Sequence, residues 1–64
     1  MNVELGKKIK ALRLQKGMTQ EELAAKLNMS SQAISKWENN VTMPDIQMLP
    51  SLSVILGVTI DELF

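Results

Sequence analysis

The stretch TQEELAAKLNMSSQAISKWENN, Thr19 to Asn40, decides the fold, because it encodes two short amphipathic helices with almost nothing between them. Thr19 and Glu22 form a capping box, in which the Glu22 amide donates to the Thr19 hydroxyl and the Glu22 carboxylate accepts from the Thr19 amide. The helix that follows spans about residues 20–27, with Leu23, Ala24 and Leu27 facing inward. Asn28 is a candidate left-handed residue at its end, since asparagine tolerates positive φ better than most residues. Ser30 caps a third helix over about residues 31–39, and Asn39-Asn40 ends it, with Asn40 a second candidate for positive φ. Ala24 is small enough to let the third helix cross close over the second, and Met29 and Ile34 can plug the angle between them. Two helices joined by about three residues match the helix-turn-helix unit.

Outward from this stretch the same reading continues. Leu5, Ile9 and Leu12 recur at helical spacing with lysines between them, which predicts a first helix over about residues 3–16, stopped by Gly17 after basic Lys16. On the other side, Pro44 keeps Met43 out of helical geometry, so Thr42, Met43 and Pro44 form a loop. Asp45 is placed to cap the next turn. Pro50 suits a first helical turn, which predicts a loose or 3₁₀ turn around residues 46–49 and then helix to about Leu56. Gly57 stops that helix. Thr59 and Glu62 form a second capping box that opens a last helix over residues 60–64. No segment alternates with period two, so no strand is expected. The expected fold is all-α, five short helices in one domain over residues 1–64. Its last helix has barely one turn before the chain stops, which reads as the N-terminal part of a longer protein.

Size and composition narrow the function. A chain of 64 residues buries only roughly 60% of its unfolded surface, so its core has to be efficient. It contains no cysteine and no histidine, which removes disulfides, thiolate or imidazole metal sites and the commonest general base. Glu21 and Glu22 are adjacent, but neighbouring helix positions point about 100° apart and make no dyad. No catalytic site, cofactor or metal is expected. No apolar run is long enough to span a bilayer, and the expected location is the cytoplasm. Net charge is zero, yet residues 1–16 carry Lys7, Lys8, Lys10, Arg13 and Lys16 against Glu4, and residues 38–64 carry Glu38, Asp45, Asp61 and Glu62 with no base. Such asymmetry can orient a small protein on a polyanion.

The third helix has two unlike faces. Ile34 and Trp37 lie on the inward one, and Trp37 is expected in the core. Ser31, Gln32, Ser35 and Lys36 lie on the other, with Asn39 continuing the stripe. Gln32 can pair bidentately with adenine and Lys36 can donate to guanine, while the two serines reach bases or phosphates. These four residues are the candidate base contacts. Thr19 and Gln20, at the start of the second helix where free amides favour an anion, and Asn39 and Asn40 after the third, are the candidate phosphate contacts.

The chain resembles the lambda-repressor-like, Cro/repressor-type (XRE) helix-turn-helix family. The matching residues are Ile9, Leu12-Arg13, Gly17 to Ala24, Ile34 to Asn39, Pro44-Asp45 and Leu56 to Leu63, which cover most of the chain in order. The resemblance implies a five-helix domain that binds double-stranded DNA as a transcription regulator, a repressor, with its third helix reading the major groove. It implies that Arg13 pairs with Glu38, bracing the first helix against the third. It also implies that Gln20 and the loop after the third helix hold phosphates, and that the positions of Ser31, Gln32 and Lys36 meet bases. The family often has glycine where Asn28 and Asn40 stand, and a basic residue where Val41 stands. The missing base implies fewer phosphate contacts. A homodimer on a two-fold operator is the expected working form, with half-sites roughly 34 Å apart. Ile60, Leu63 and Phe64 form an apolar end that exceeds what a small core needs, and it is expected to be a dimer face or to be covered by a downstream domain. A second reading is an antitoxin-type or protein-interaction module that uses the same fold chiefly to grip a partner protein, and the zero net charge favours it.

Overall fold

The computed structural model describes residues 4–64, in which five α-helices follow one another and no strand occurs among the described residues: α1 Leu5–Gln15, α2 Gln20–Leu27, α3 Ser31–Glu38, a 3₁₀ turn Ile46–Met48 running straight into α4 Leu49–Leu56, and α5 Ile60–Leu63. The expected start of the first helix at residue 3 lies outside the described residues. The helix ends otherwise fall within a residue of their expected places.

The first four helices end alike. The amide five residues on donates back to a last-turn carbonyl in each: Met18 to Arg13, Met29 to Ala24, Val41 to Lys36 and Val58 to Ser53, at 2.8–3.1 Å. This closure needs one left-handed residue after the helix. Gly17 and Gly57 supply it at φ +70° and +73°. Asn28 and Asn40 supply it at φ 59°, where the family often has glycine. The helix starts are capped from the sequence as well. Both capping boxes are formed, with Thr19 N to Glu22 Oε1 at 2.8 Å and Thr59 N to Glu62 Oε1 at 2.8 Å. Ser30 Oγ accepts the Ala33 amide at 3.3 Å. Asp45 corrects an expectation: its backbone is extended at the start of the 3₁₀ turn, but its side chain caps nothing.

Eleven apolar side chains form the core: Leu5, Ile9 and Leu12 of α1, Leu23, Ala24 and Leu27 of α2, Ile34 and Trp37 of α3, Leu52 and Leu56 of α4, and Leu63 of α5. Met29, in the turn between α2 and α3, packs against this core, and Ile34 is fully buried in it. Trp37 is buried, as its place beside Ile34 requires. The apolar C-terminal end is divided. Leu63 is core, and only Ile60 and Phe64 stay exposed. The short last helix packs against α1 and α4 and buries Leu63.

Gly6 is a feature the sequence reading passed over. The start of α1 lies so close to the end of α3 that a Cβ on Gly6 would overlap the Trp37 carbonyl oxygen, and would sit 2.7 Å from Asn40 Oδ1 and 3.0 Å from the Glu38 carbonyl. The Gly6 amide, one of the first-turn donors with no partner inside the helix, donates to Asn40 Oδ1 at 3.2 Å. Glu4, at the N-cap position of α1, makes no side-chain cap. Asn40 therefore caps α1 from 34 residues away.

Candidate nucleic-acid interface

The polar face of α3 stands clear of the core. Gln32, Lys36 and Asn39 are exposed, Ser31 and Ser35 are half-buried, and Ile34, Trp37 and Glu38 fill the opposite side. Lys36 is the single cation between residues 27 and 64. The face therefore combines hydroxyls, two amides and one ammonium, a set that reads hydrogen-bonding edges rather than neutralising many phosphates. Ser31 also borders an open depression between the helices, with Arg13, Leu14, Met18, Thr19, Gln20 and Glu21 on its walls. The starts of α2 and α3 thus meet around one concavity.

The candidate phosphate residues are held in different ways. The Thr19 hydroxyl accepts from the Glu22 amide at 3.0 Å, which leaves its own hydrogen to donate outward. Gln20 is half-buried, and its Nε2 donates to Glu38 Oε1 at 3.0 Å. Asn39 Nδ2 folds back on its own helix and donates to the Ser35 carbonyl at 2.9 Å, with Ser35 Oγ 3.4 Å away. Asn40 uses Oδ1 on Gly6 and keeps its exposed amide nitrogen for another acceptor. Spacing gives the Thr19 cap and places Ser35 one turn before Asn39, but it could not show the bonds of Gln20 and Asn40, whose partners lie on other helices.

Arg13 and Glu38 sit beneath this surface. Arg13 Nε donates to Glu38 Oε2 at 2.6 Å and Nη2 to Oε1 at 3.1 Å, with the two side chains 7% and 2% exposed. Arg13 Nη1 donates to the Met18 carbonyl at 2.7 Å, so the guanidinium also pins the turn before α2. Burial pushes the Glu38 carboxyl up, but hydrogen bonds from Arg13 and Gln20, with the charges of Arg13 and Lys10, outweigh burial and hold it below its ordinary value of 4.5. A carboxylate depressed in the folded state stabilises the fold above its unfolded pKa, and that contribution is lost as pH falls through the folded value. The exposed Glu62 carboxyl is also held down, by the Thr59 amide and hydroxyl. Stability should therefore be flat near neutrality and fall on acidification below about pH 4.5. Urea melts across pH 2–7 check this, and Glu38→Gln should flatten the acid limb. An acid limb unchanged by that substitution would assign it to other groups.

The helix-turn-helix family model matches residues 9–63, and that span runs from the middle of α1 through the core leucine of α5. The chain belongs to the helix-turn-helix family. It is 44% identical over 95% of its length to the HTH-type transcriptional activator BcrR of Enterococcus faecalis, covering 30% of that protein. It is 38% identical over 95% of its length to the HTH-type transcriptional regulator ImmR of Bacillus subtilis, covering 48% of it. The chain thus spans less than half the length of these curated relatives. Among solved structures it is similar to the master regulator for biofilm formation SinR in complex with DNA, with a TM-score of 0.82, 37% identity, and coverage of 92% of this chain and 95% of that one. The five-helix arrangement, without a strand among the described residues, is the lambda-repressor-like form of this helix-turn-helix domain.

Proposed function

We propose that this domain binds double-stranded DNA sequence-specifically and regulates transcription, with α3 in the major groove. The observation that carries the proposal is the exposed face of Gln32 and Lys36, flanked by Ser31 and Ser35, on the second helix of a helix-turn-helix unit. The likeness to SinR, whose structure holds DNA, supports it. Gln32 and Lys36 are assigned to base edges, with Ser31 and Ser35 beside them. Thr19, Gln20 and the amide nitrogen of Asn40 are assigned to phosphates, and Asn39 joins them through the Nδ2 hydrogen not held by the Ser35 carbonyl.

The longest extent of the domain is 30 Å. One turn of B-DNA is about 34 Å, so one copy covers one half-site and two copies are required for a two-fold operator. Exposed Ile60 and Phe64 are the proposed contact between copies. Occupying an operator excludes other proteins from it, so repression is the proposed sense, in the cytoplasm. No helix among the described residues is long and apolar enough to cross a membrane.

Selection of bound duplexes from a random pool tests the reading. A two-fold symmetric motif is expected, and enrichment no better than random sequence would overturn it. Lys36→Ala should cost about 1–3 kcal/mol on the selected site and relax preference at one base pair. Loss of affinity spread evenly over all sequences would move Lys36 to the phosphate group. A promoter reporter whose output rises on binding would replace repression by activation.

A further inference from the structure

The buried ion pair reaches the start of α2 through Gln20. Glu38 Oε1 accepts from both Arg13 Nη2 and Gln20 Nε2, at 3.1 and 3.0 Å, while Oε2 accepts from Arg13 Nε. Arg13 is itself tied to the Met18 carbonyl, so neither the guanidinium nor the carboxylate is free to turn. An ionised carboxylate has no hydrogen to give. Only the nitrogen of the Gln20 amide, never its oxygen, can face it. The amide plane therefore has one orientation, with one Nε2 hydrogen on Glu38 and the other hydrogen directed elsewhere. Gln20 is the first residue of α2, and the capping box takes the amides of Thr19 and Glu22. The Gln20 and Glu21 amides remain as first-turn donors with no acceptor inside the helix.

We propose that Glu38 is a positioning residue for DNA binding: its hydrogen bond to Gln20 sets that amide so that the second Nε2 hydrogen meets a phosphate at the start of α2. The inference rests on the assignment of Gln20 to a phosphate. A glutamine free on a surface samples both amide flips and several rotamers, and binding has to order it. Here the core has ordered it beforehand. Arg13 neutralises Glu38 from below, so the approaching phosphate does not meet a bare carboxylate. The chain Arg13–Glu38–Gln20 carries the rigidity of the core to one DNA contact.

A double-mutant cycle on DNA affinity tests this, with each variant first shown to be folded by its circular dichroism melt. Gln20→Ala should bind all sequences about tenfold more weakly. Glu38→Gln should bind about threefold to tenfold more weakly in the wild-type background, since its amide can meet Gln20 in either flip. In the Gln20→Ala background, Glu38→Gln should cause no further loss. Equal losses in both backgrounds would overturn the positioning role and leave the phosphate contact standing. An unchanged affinity for Gln20→Ala would overturn both. Arg13→Met with Glu38→Leu fills the same space with apolar atoms and removes the acceptor. It should fold and bind as weakly as Gln20→Ala, and wild-type binding would overturn the proposal. Nuclear magnetic resonance of the DNA-free protein gives an independent readout. The two Gln20 side-chain amide protons should be separated from the free-glutamine positions, one of them close to the Arg13 guanidinium. Free-glutamine shifts would overturn the proposal.

Discussion

Arg13→Ala should unfold a large share of the molecules under conditions where the parent domain is fully native. The substitution leaves Glu38 with a side chain 2% exposed and no cation beside it, and it releases the Met18 carbonyl. Breaking a buried pair in this way costs about 3–5 kcal/mol. A domain of this size has roughly 3–10 kcal/mol in total by the usual per-residue range, so the loss is comparable with the whole. Urea or thermal melts measure it directly. A midpoint unchanged within error would show that the pair is solvated in solution. The contrast with the apolar replacement at both positions is informative. Two well-packed hydrophobic side chains often equal or exceed a buried ion pair in stability, because the pair has to repay its own desolvation. The expected outcome is therefore a fold lost by one substitution and recovered by two. If the paired replacement proves as unstable as Arg13→Ala, the geometry of Arg13 on Met18 matters more than the charge.

The second large effect is expected at Gly6, in the opposite direction from helix propensity. Alanine is favoured over glycine inside a helix by about 1 kcal/mol. Gly6 is in the first turn of α1, buried against the ends of α3, and the atoms an added Cβ would meet are the Trp37 and Glu38 carbonyls and the Asn40 side chain. Two of these are backbone, which cannot rotate away. Gly6→Ala should force α1 off α3, break the Asn40 bond and cost about 2–3 kcal/mol net. Ala11→Gly, on the exposed side of the same helix, is the control and should cost only about 1 kcal/mol. A Gly6→Ala variant that melts higher than the parent would mean that the two helices separate readily.

Helix ends were legible because their signals are local. Thr19 with Glu22, Thr59 with Glu62, Ser30, Gly17 and Gly57 each act within a few residues, and the structure uses each as its chemistry suggests. The inward faces were legible from spacing for the same reason, and Ala24, Ile34 and Trp37 are buried accordingly. What was illegible depends on distant partners. Gly6 looks like an ordinary weak helix residue until the end of α3 is brought against it. Leu63 cannot be told from Ile60 and Phe64 by composition, and only docking under α1 and α4 separates it from them. Asp45 carries a cap residue's chemistry, but the Met48 amide donates to its backbone carbonyl and its side chain makes no cap bond. On the polar surface, sequence gives the residue types facing outward, and it does not give which of their donors are already engaged. Gln20, Asn39 and Asn40 all have such engagements, and the three differ in what they leave free.

The solitary cation of the second half of the chain has a consequence for search. A genome presents on the order of 10⁶–10⁹ decoy positions, and a protein rich in lysine and arginine on its reading surface dwells on all of them. Each phosphate neutralised adds nearly one power to the salt dependence of that dwelling. With Lys36 alone on α3 and the segment after it, this surface should hold random duplex weakly and lose little hold as salt rises. Its discrimination has to come from hydrogen bonds that are set before contact. On the proposed reading, a domain of this kind should be sparingly titrated by bulk DNA.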